Sequence, residues 1–328
     1  MMKEKTTSPL LQFVKNWTLP LAMASGTFLY TTFANIPWLD GAAHFFAPLC
    51  DAFLPFFMFL ILFVTFCKVD FRKLRPTKWH LWIGLIQIVF VTVITAFLLL
   101  FPVSRPTFIL AESILTCVIG PCAAAAPVVT AKLGGKLEEM TTYTFLSNFI
   151  TASLIPICFP LIEKSAHITF AKAFLTILYE VCIVLVLPML LAFIVKHSWK
   201  RGLQWIVNIK DLSYYLWACS LMMVTGTTVK NIAHAETSLA FLITIALASL
   251  LCCLLQFATG RCIGRHFQAT IEAGQALGQK NTAFAIWIAY TYLSPLSSVG
   301  PGCYILWQNT INSIQIWLCR KKGAIKST

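Results

Sequence analysis

Ten long apolar stretches dominate this 328-residue sequence and leave few charged residues between them. Hydrophobic residues make up 58% of the chain and charged residues only 11%, whereas soluble domains carry about 25% charged residues. So few charges cannot cover the surface of a soluble protein of this size. The sequence therefore predicts an all-α membrane protein whose apolar surface faces lipid.

Each stretch is long enough for a membrane-spanning helix, which needs about 20 mostly apolar residues. We number these predicted spans one to ten in chain order. They are Trp17–Ile36, His44–Cys67, Leu81–Phe101, Phe108–Val129, Thr141–Ile162, Ala173–Val195, Leu212–Val229, Leu239–Ala258, Ala269–Leu293 and Gly302–Leu318.

Lysine and arginine are distributed unevenly around these spans. If the amino terminus is cytoplasmic, 20 of the 25 basic residues lie on the inner side, four lie on the outer side, and Lys280 falls within span nine. Cytoplasmic loops of membrane proteins are enriched in Lys and Arg. The distribution therefore predicts ten spans with both termini in the cytoplasm. It also explains the net charge of +13 without a nucleic-acid partner.

The ten spans divide into two halves of five, residues 1–165 and 166–328. Because five is an odd number, the two halves must have opposite orientations in the membrane. This is the arrangement of secondary transporters built from inverted repeats. Sequence similarity between the halves is weak, so the prediction of two inverted five-helix repeats rests on the topology.

The fourth span of each half is interrupted by residues that break or weaken helices. Span four contains Gly120, Pro121 and Pro127, and in span nine Gly278 precedes the polar residues 279–281. Interrupted helices of inverted-repeat transporters hold substrate and ions near the midplane. A simple proline kink and close helix packing through glycine are the alternative explanations.

Lys280 is the one basic residue placed inside a span. A lysine at the centre of a membrane helix costs about 2.5–3.5 kcal/mol on insertion scales. We predict a buried cation in the translocation site; the alternative is a side chain that extends to the membrane interface. Glu272, earlier in span nine, either caps the helix start or serves as the partner of Lys280 or as a proton site.

Other functional classes find little support in the sequence. Loops are short, so no soluble module can transmit a signal as in a receptor, and no repeated pore filter suggests a channel. The six histidines are scattered, and His-Glu-x-x-His is absent, so we do not expect an enzyme. No Cys-x-x-Cys pair or zinc-type Cys/His cluster occurs, so we expect no metal or organic cofactor.

The order of motifs along nearly the whole chain resembles that of the bile acid:sodium symporter family. From these motifs the chain is identified as a divergent bacterial member, expected in the cytoplasmic (inner) membrane. The motifs are the loop Lys68-Val-Asp70-Phe71, Gln87, the break Gly120-Pro121, the loop Gly134-Gly135, the fifth span with Thr144, Ser147 and Pro156, and the run Gly278-Gln279-Lys280-Asn281.

The resemblance implies a ten-helix inverted repeat in which helices four and nine are discontinuous and cross at their breaks. Helices one, two, six and seven would form a panel, and helices three to five and eight to ten a core. The family carries organic anions, from bile salts to small carboxylates, usually with two sodium ions. The candidate binding residues are Lys280, Gln279, Asn281, Gln87, Thr130, Thr144, Glu272 and Gln275.

Departures from the family pattern concern sodium. Ala126 and Pro127 stand where the family has Ser-Asn, and its sodium-binding Glu and Gln align with Ala276 and Lys280. We therefore expect that Lys280 replaces a sodium ion and that transport does not require sodium. If helix nine slips by four residues, Glu272 becomes the family Glu and a sodium symporter is restored. The coupling ion can be a proton or sodium, and the oligomeric state can be a monomer or a homodimer; the sequence does not distinguish these alternatives.

Overall fold

The computed structural model describes residues 9–163, 169–209, 212–234 and 237–321. Throughout these segments the regular elements are helical, and none is a strand. Four helices are long and apolar enough to cross a membrane, and Phe53–Lys68 is a shorter apolar helix. The four are Lys78–Leu100, Leu137–Ile162, Phe170–Ser198 and Leu239–His266. The prediction of an all-α protein that is embedded in a membrane is confirmed at this level.

Helices occur over each predicted span, and spans four and nine are each divided between two helices. In residues 9–163 the helices are α1 Pro9–Asn35, α2 Asp40–Lys68, α3 Lys78–Leu100, α4 Arg105–Ile119, α5 Ala126–Lys132 and α6 Leu137–Ile162. In residues 170–321 they are α7 Phe170–Val181, α8 Leu187–Ser198, α9 Lys200–Asn208, α10 Leu212–Ala233, α11 Leu239–His266, α12 Thr270–Gly278, α13 Thr282–Tyr292 and α14 Val299–Lys321.

Several helices begin at a side chain that accepts a hydrogen bond from a free backbone N–H group. Ser104 caps α4 and Ser238 caps α11, through the N–H groups of Thr107 and Phe241. A helix start leaves its first N–H groups without partners inside the helix, and serine satisfies one of them. These caps determine where the chain enters each helix.

The sixth predicted span contains a local irregularity between α7 and α8. A π-helical turn, Cys182–Val186, joins them into one continuous stretch, and Pro188 follows in the first turn of α8. Proline cannot donate the regular backbone hydrogen bond, so a locally wider helical turn accommodates it. The stretch still spans 29 residues.

Helix α9 was not among the predicted elements. Its Ile206 is buried, while Lys200, Arg201 and Trp205 are exposed. A short helix with one apolar face and a basic, aromatic opposite face is typical of a helix that lies in the membrane interface. From sequence alone this segment is predicted to be an inner loop, because nine residues are too few for a span.

The helices pack in two neighbourhoods. Helices α1, α2 and α10 contact one another, and α8 contacts α2. In the second neighbourhood α11 contacts α4, α12 and α14, and α6 contacts α3 and α5. Helices α3 and α11 carry rows of exposed leucine, isoleucine and valine side chains, which suits surfaces that face hydrocarbon.

Candidate functional site

Two interruptions in the helices lie side by side. Helix α4 ends at Ile119 and α5 begins at Ala126, and α12 ends at Gly278 and α13 begins at Thr282. We call the intervening residues, 120–125 and 279–281, the crossing.

The two segments of the crossing run antiparallel and share backbone hydrogen bonds. Ala123 N–H donates to the carbonyl of Gln279 over 2.9 Å, and Asn281 N–H donates to the carbonyl of Pro121 over 2.8 Å. Cys122 faces Lys280 between these bonds. Backbone groups freed by a helix break need partners in a membrane, and each segment supplies them to the other.

Lys280 is fully enclosed at this crossing, with 1% of its surface exposed. Its Nζ donates to the carbonyl of Val118 over 2.8 Å and to the carbonyl of Gly120 over 3.2 Å. Carbonyls at the end of a helix have no partner within the helix and form the negative end of its dipole. The ammonium group therefore lies at the carboxyl end of α4, and it makes no ion pair within the described residues.

The carbonyls at the carboxyl end of α4, residues 117–120, receive side-chain donors from three other helices. Gln87 Nε2 of α3 lies 3.2–3.4 Å from the carbonyl oxygens of residues 118–120. Thr151 of α6 donates to the carbonyl of Ile119 over 2.9 Å. Gln256 of α11 donates to the carbonyl of Cys117 over 3.2 Å. The carboxyl end of α4 is thus a polar, electronegative centre inside apolar helices.

Helix α14 holds the other segment of the crossing. Gln308 accepts from the N–H of Lys280 over 2.9 Å and donates to its carbonyl over 3.2 Å. Tyr304 donates to the carbonyl of Gly278, the last residue of α12, over 2.8 Å. The backbone of Lys280 is therefore anchored at both its N–H and its carbonyl.

Helix α6 holds the first segment in a similar way. Ser147 accepts from the N–H of Cys122 over 3.0 Å, and Thr144 is buried one turn earlier on the same helix. Its hydroxyl donates to the carbonyl of Met140 over 3.0 Å. Thr144 was a predicted site residue, and the structure places it beside Cys122 of the crossing.

Four further predicted residues lie in the crossing or in α5, the helix that follows its first segment. Asn281 caps α13 by accepting from Phe284 N–H over 3.3 Å. The side-chain oxygens of Gln279 and Thr130 are buried and lack a hydrogen-bond partner in the described segments. Pro127 lies in the first turn of α5, where a proline is tolerated because that N–H needs no partner in the helix.

The acidic candidate of span nine lies away from Lys280. Glu272, in the first turn of α12, accepts from the backbone N–H of Lys136 over 2.6 Å. From Glu272 to Gly278, the last residue of α12, the helix rises about 9 Å, and Lys280 lies two residues beyond. Gln275 binds Asn312 and Gln315 of α14, each over 3.0 Å. The structure therefore does not bring Glu272 and Gln275 to the crossing.

A second buried acid lies on α4, eight residues before Gly120. Glu112 is fully buried and accepts from the hydroxyl of Ser297 over 2.6 Å. This bond ties α4 to the segment that precedes α14. For the described parts of the chain, no group of three or more His, Cys, Asp or Glu side chains is placed to hold a metal ion.

Sequence reasoning missed four of the residues that organise the crossing. They are Thr151, Gln256, Tyr304 and Gln308. A weak signal existed for Gln256, because it is an isolated amide in the third span of the second half, as Gln87 is in the first. The others are ordinary polar residues of long helices, and only the packing reveals which way they face.

Comparison with known proteins adds one finding. The family model described as Sodium Bile acid symporter family matches residues 55–240. The match covers more than half of the chain and runs from within α2 to the start of α11. No curated protein matches the chain.

Proposed function

Because this chain belongs to the sodium bile acid symporter family, we propose that it is a secondary transporter of an organic anion that works by alternating access. Membership of a transporter family and four helices that can cross a membrane support transport rather than catalysis. The observation that carries the proposal is the buried ammonium of Lys280 on the carbonyls of α4.

In this proposal Lys280 takes the place of a sodium ion. Hard cations bind to oxygen ligands such as backbone carbonyls, and the Nζ of Lys280 already occupies two of them. A sodium ion 4 Å from this ammonium would be repelled by about 4 kcal/mol at an effective dielectric of 20. We infer that the lysine supplies a permanent positive charge and that the transporter works without sodium.

The positive charge also suggests what the transporter carries. A buried cation without a carboxylate partner can attract the carboxylate of a substrate that reaches the crossing. The substrate would be a bile-salt-like acid or a smaller carboxylate. The alternative to a permanent charge is that Lys280 releases and takes up a proton during the cycle, which would couple transport to protons.

A sodium-coupled symporter that uses Glu272 is the alternative. Its carboxylate lies beside Gly135 and binds the backbone of Lys136, which already occupies one oxygen. Glu272 lies about 9 Å along α12 from the end of that helix at the crossing, and this separation favours the role of Lys280. The alternative predicts a strong dependence of uptake on sodium.

The arrangement of hydrogen bonds supports the proposal of two inverted repeats, residues 1–165 and 166–328. In each half, two side chains of the fifth span form hydrogen bonds with the broken fourth span. Ser147 and Thr151 of α6 bind the first break. Gln308 and Tyr304 of α14 bind the second.

Alternating access would arise from movement between two groups of helices. The panel would contain α1, α2, α7, α8 and α10, and the core α3–α6 and α11–α14. The crossing lies within the core, so a rigid shift of the core against the panel would carry the bound anion from one side to the other. We propose that the protein lies in the bacterial cytoplasmic membrane, as a monomer or homodimer, with both termini inside.

Uptake by the purified protein in liposomes tests this proposal. A thermal-shift screen in detergent across bile salts, 2-oxo acids and pantoate-like acids would select the substrate to be labelled. We expect the same initial uptake rate with an inward sodium gradient as with potassium. A strong stimulation by sodium would overturn the sodium-independent mechanism and favour Glu272. Failure of every tested anion to be taken up would contradict the substrate class.

A further inference from the structure

A groove lies between α11 and α14 on the side of these helices that carries exposed apolar residues. Its volume is about 430 Å³, and its walls are formed chiefly by Leu254, Phe257, Arg261, Arg265, Ile311 and Gln315. On α11 the neighbouring Leu247, Leu251 and Leu255 are exposed. Exposed leucines in this number indicate that the groove opens toward hydrocarbon rather than water.

One end of the groove is strongly basic. Arg261 and Arg265 lie one turn apart on α11, so their side chains emerge on the same face. Neither forms an ion pair with an acidic side chain in the described part of the chain. Two guanidinium groups without a counter-charge favour an anionic ligand, and their planar donors suit phosphate oxygens.

The other end of the groove is apolar and deep enough for a lipid chain. Leu254 lies eleven residues before Arg265, which is about 16 Å along the helix axis. One leaflet of a membrane contributes about 15 Å of hydrocarbon, half of a core of about 30 Å. The distribution of basic residues predicts that the arginine end faces the cytoplasm. The groove therefore matches the inner leaflet in both depth and polarity.

We propose that this groove binds an anionic phospholipid of the inner leaflet. The phosphate would lie between Arg261 and Arg265, and one acyl chain would run along Leu254, Phe257 and Ile311. Basic pockets between membrane helices on the cytoplasmic side favour anionic lipid headgroups over zwitterionic ones. This inference does not depend on the transported substrate.

The groove is connected to the broken helix α12 through two glycines. A Cβ atom at Gly274 would lie 2.6 Å from Cγ of Arg261, and one at Gly278 would lie 2.4 Å from Cγ of Phe257. Two walls of the groove thus pack directly on α12. A bound lipid would hold Arg261 and Phe257 in place and so stabilise the helix that leads to Lys280.

Native mass spectrometry of the delipidated full-length protein tests the site. The probes are phosphatidylglycerol and phosphatidylethanolamine with identical acyl chains. We expect wild type to prefer phosphatidylglycerol and the double variant R261Q/R265Q to bind it about tenfold more weakly, as expected for the loss of charge-assisted hydrogen bonds. The matched control R72Q/R75Q removes two exposed arginines from the loop after α2 and should bind like wild type.

A second variant separates the lipid site from a general charge effect. Leu254 is 48% exposed, so Leu254→Trp can fill the apolar end without removing an arginine. We expect weaker binding of phosphatidylglycerol by this variant too, and it decides the question if R261Q/R265Q does not fold. Equal binding of both lipids by wild type, or unchanged binding in a folded R261Q/R265Q, would overturn the proposal. Displacement of the lipid by soluble glycerol phosphate would also overturn it, because the acyl groove would then be unnecessary.

Discussion

At the scale of single residues, Lys280 is stabilised by a helix end, and no carboxylate in the described residues pairs with it. The buried ammonium meets the carbonyls of Val118 and Gly120, which concentrate the negative end of the α4 dipole. These bonds offset part of the cost of placing a charge in the membrane. No acid neutralises it within the described residues, so in the proposed mechanism the charge would attract the anionic substrate.

Replacement of Lys280 by methionine tests this role, since it keeps the chain length and removes the charge. A hydrogen bond to a charged group contributes about 1.5–3 kcal/mol, so we expect uptake to fall roughly 10- to 100-fold. Initial uptake rates in liposomes, normalised to folded protein, measure the effect. The control is Lys132→Met, which removes an exposed lysine of α5. Wild-type uptake and coupling in Lys280→Met would contradict a role in transport.

At the scale of helices, the position of the crossing depends on how closely α12 approaches α11. A Cβ atom at Gly260 would lie 2.3 Å from the carbonyl oxygen of Ala273, and one at Gly264 would lie 2.4 Å from that of Ala269. Small residues four apart let two membrane helices pack backbone to backbone. These glycines therefore hold α12 where its last residue, Gly278, meets the crossing.

Gly260→Ala should destabilise the protein even though alanine is the better helix former. In an open helix the substitution gains about 0.5–1 kcal/mol, but a contact of 2.3 Å with a backbone oxygen forces α11 and α12 apart. We expect a net loss of about 1–3 kcal/mol, measured as a lower midpoint of thermal unfolding in detergent.

A matched substitution controls for the intrinsic preference of alanine. Gly41 of α2 has no atom within 4 Å of the position of a Cβ, so Gly41→Ala should leave the midpoint unchanged or raise it. Equal effects of the two substitutions would show that the close approach of α11 and α12 does not contribute to stability.

At the scale of the whole molecule, the charge distribution and the pair of helix breaks point to one architecture. The two segments of the crossing pair antiparallel. This pairing is expected when the two halves of the chain enter the membrane from opposite sides. The charge bias predicts the same opposite orientation from sequence alone. Two independent physical arguments, backbone pairing and loop charge, thus support the proposed inverted repeat.

Epitope insertion tests this topology in intact cells. We expect a tag placed in the loop between α3 and α4, at residues 101–104, to bind antibody from the outside. The same tag between α2 and α3, at residues 69–77, should react only after the membrane is permeabilised. A reporter fused to the carboxyl terminus that is active only in the cytoplasm should be active. The reverse pattern would contradict the orientation. If both loop tags were found on the same side of the membrane, the predicted number of spans would be wrong.

The sequence alone predicted much of the helical framework. The fifth predicted span, Thr141–Ile162, corresponds to α6, Leu137–Ile162, because apolar runs in a membrane chain have few alternatives to a helix. It also placed Lys280 and the glycines and prolines of the two interruptions within apolar stretches. It could not predict α9, whose signal is amphipathic rather than apolar.

Only the tertiary structure decided what those residues touch. Lys280 binds carbonyls that lie 160 and 162 positions earlier in the chain, and Gln308 holds its backbone from 28 positions later. Hydrophobicity and charge determine which segments enter the membrane. Both are properties of local sequence, so these segments can be predicted without the tertiary structure. The partners of a buried polar group depend on how helices pack, which no local pattern contains. For that reason Glu272 could be a candidate partner of Lys280 in the sequence and yet lie near Lys136 in the fold.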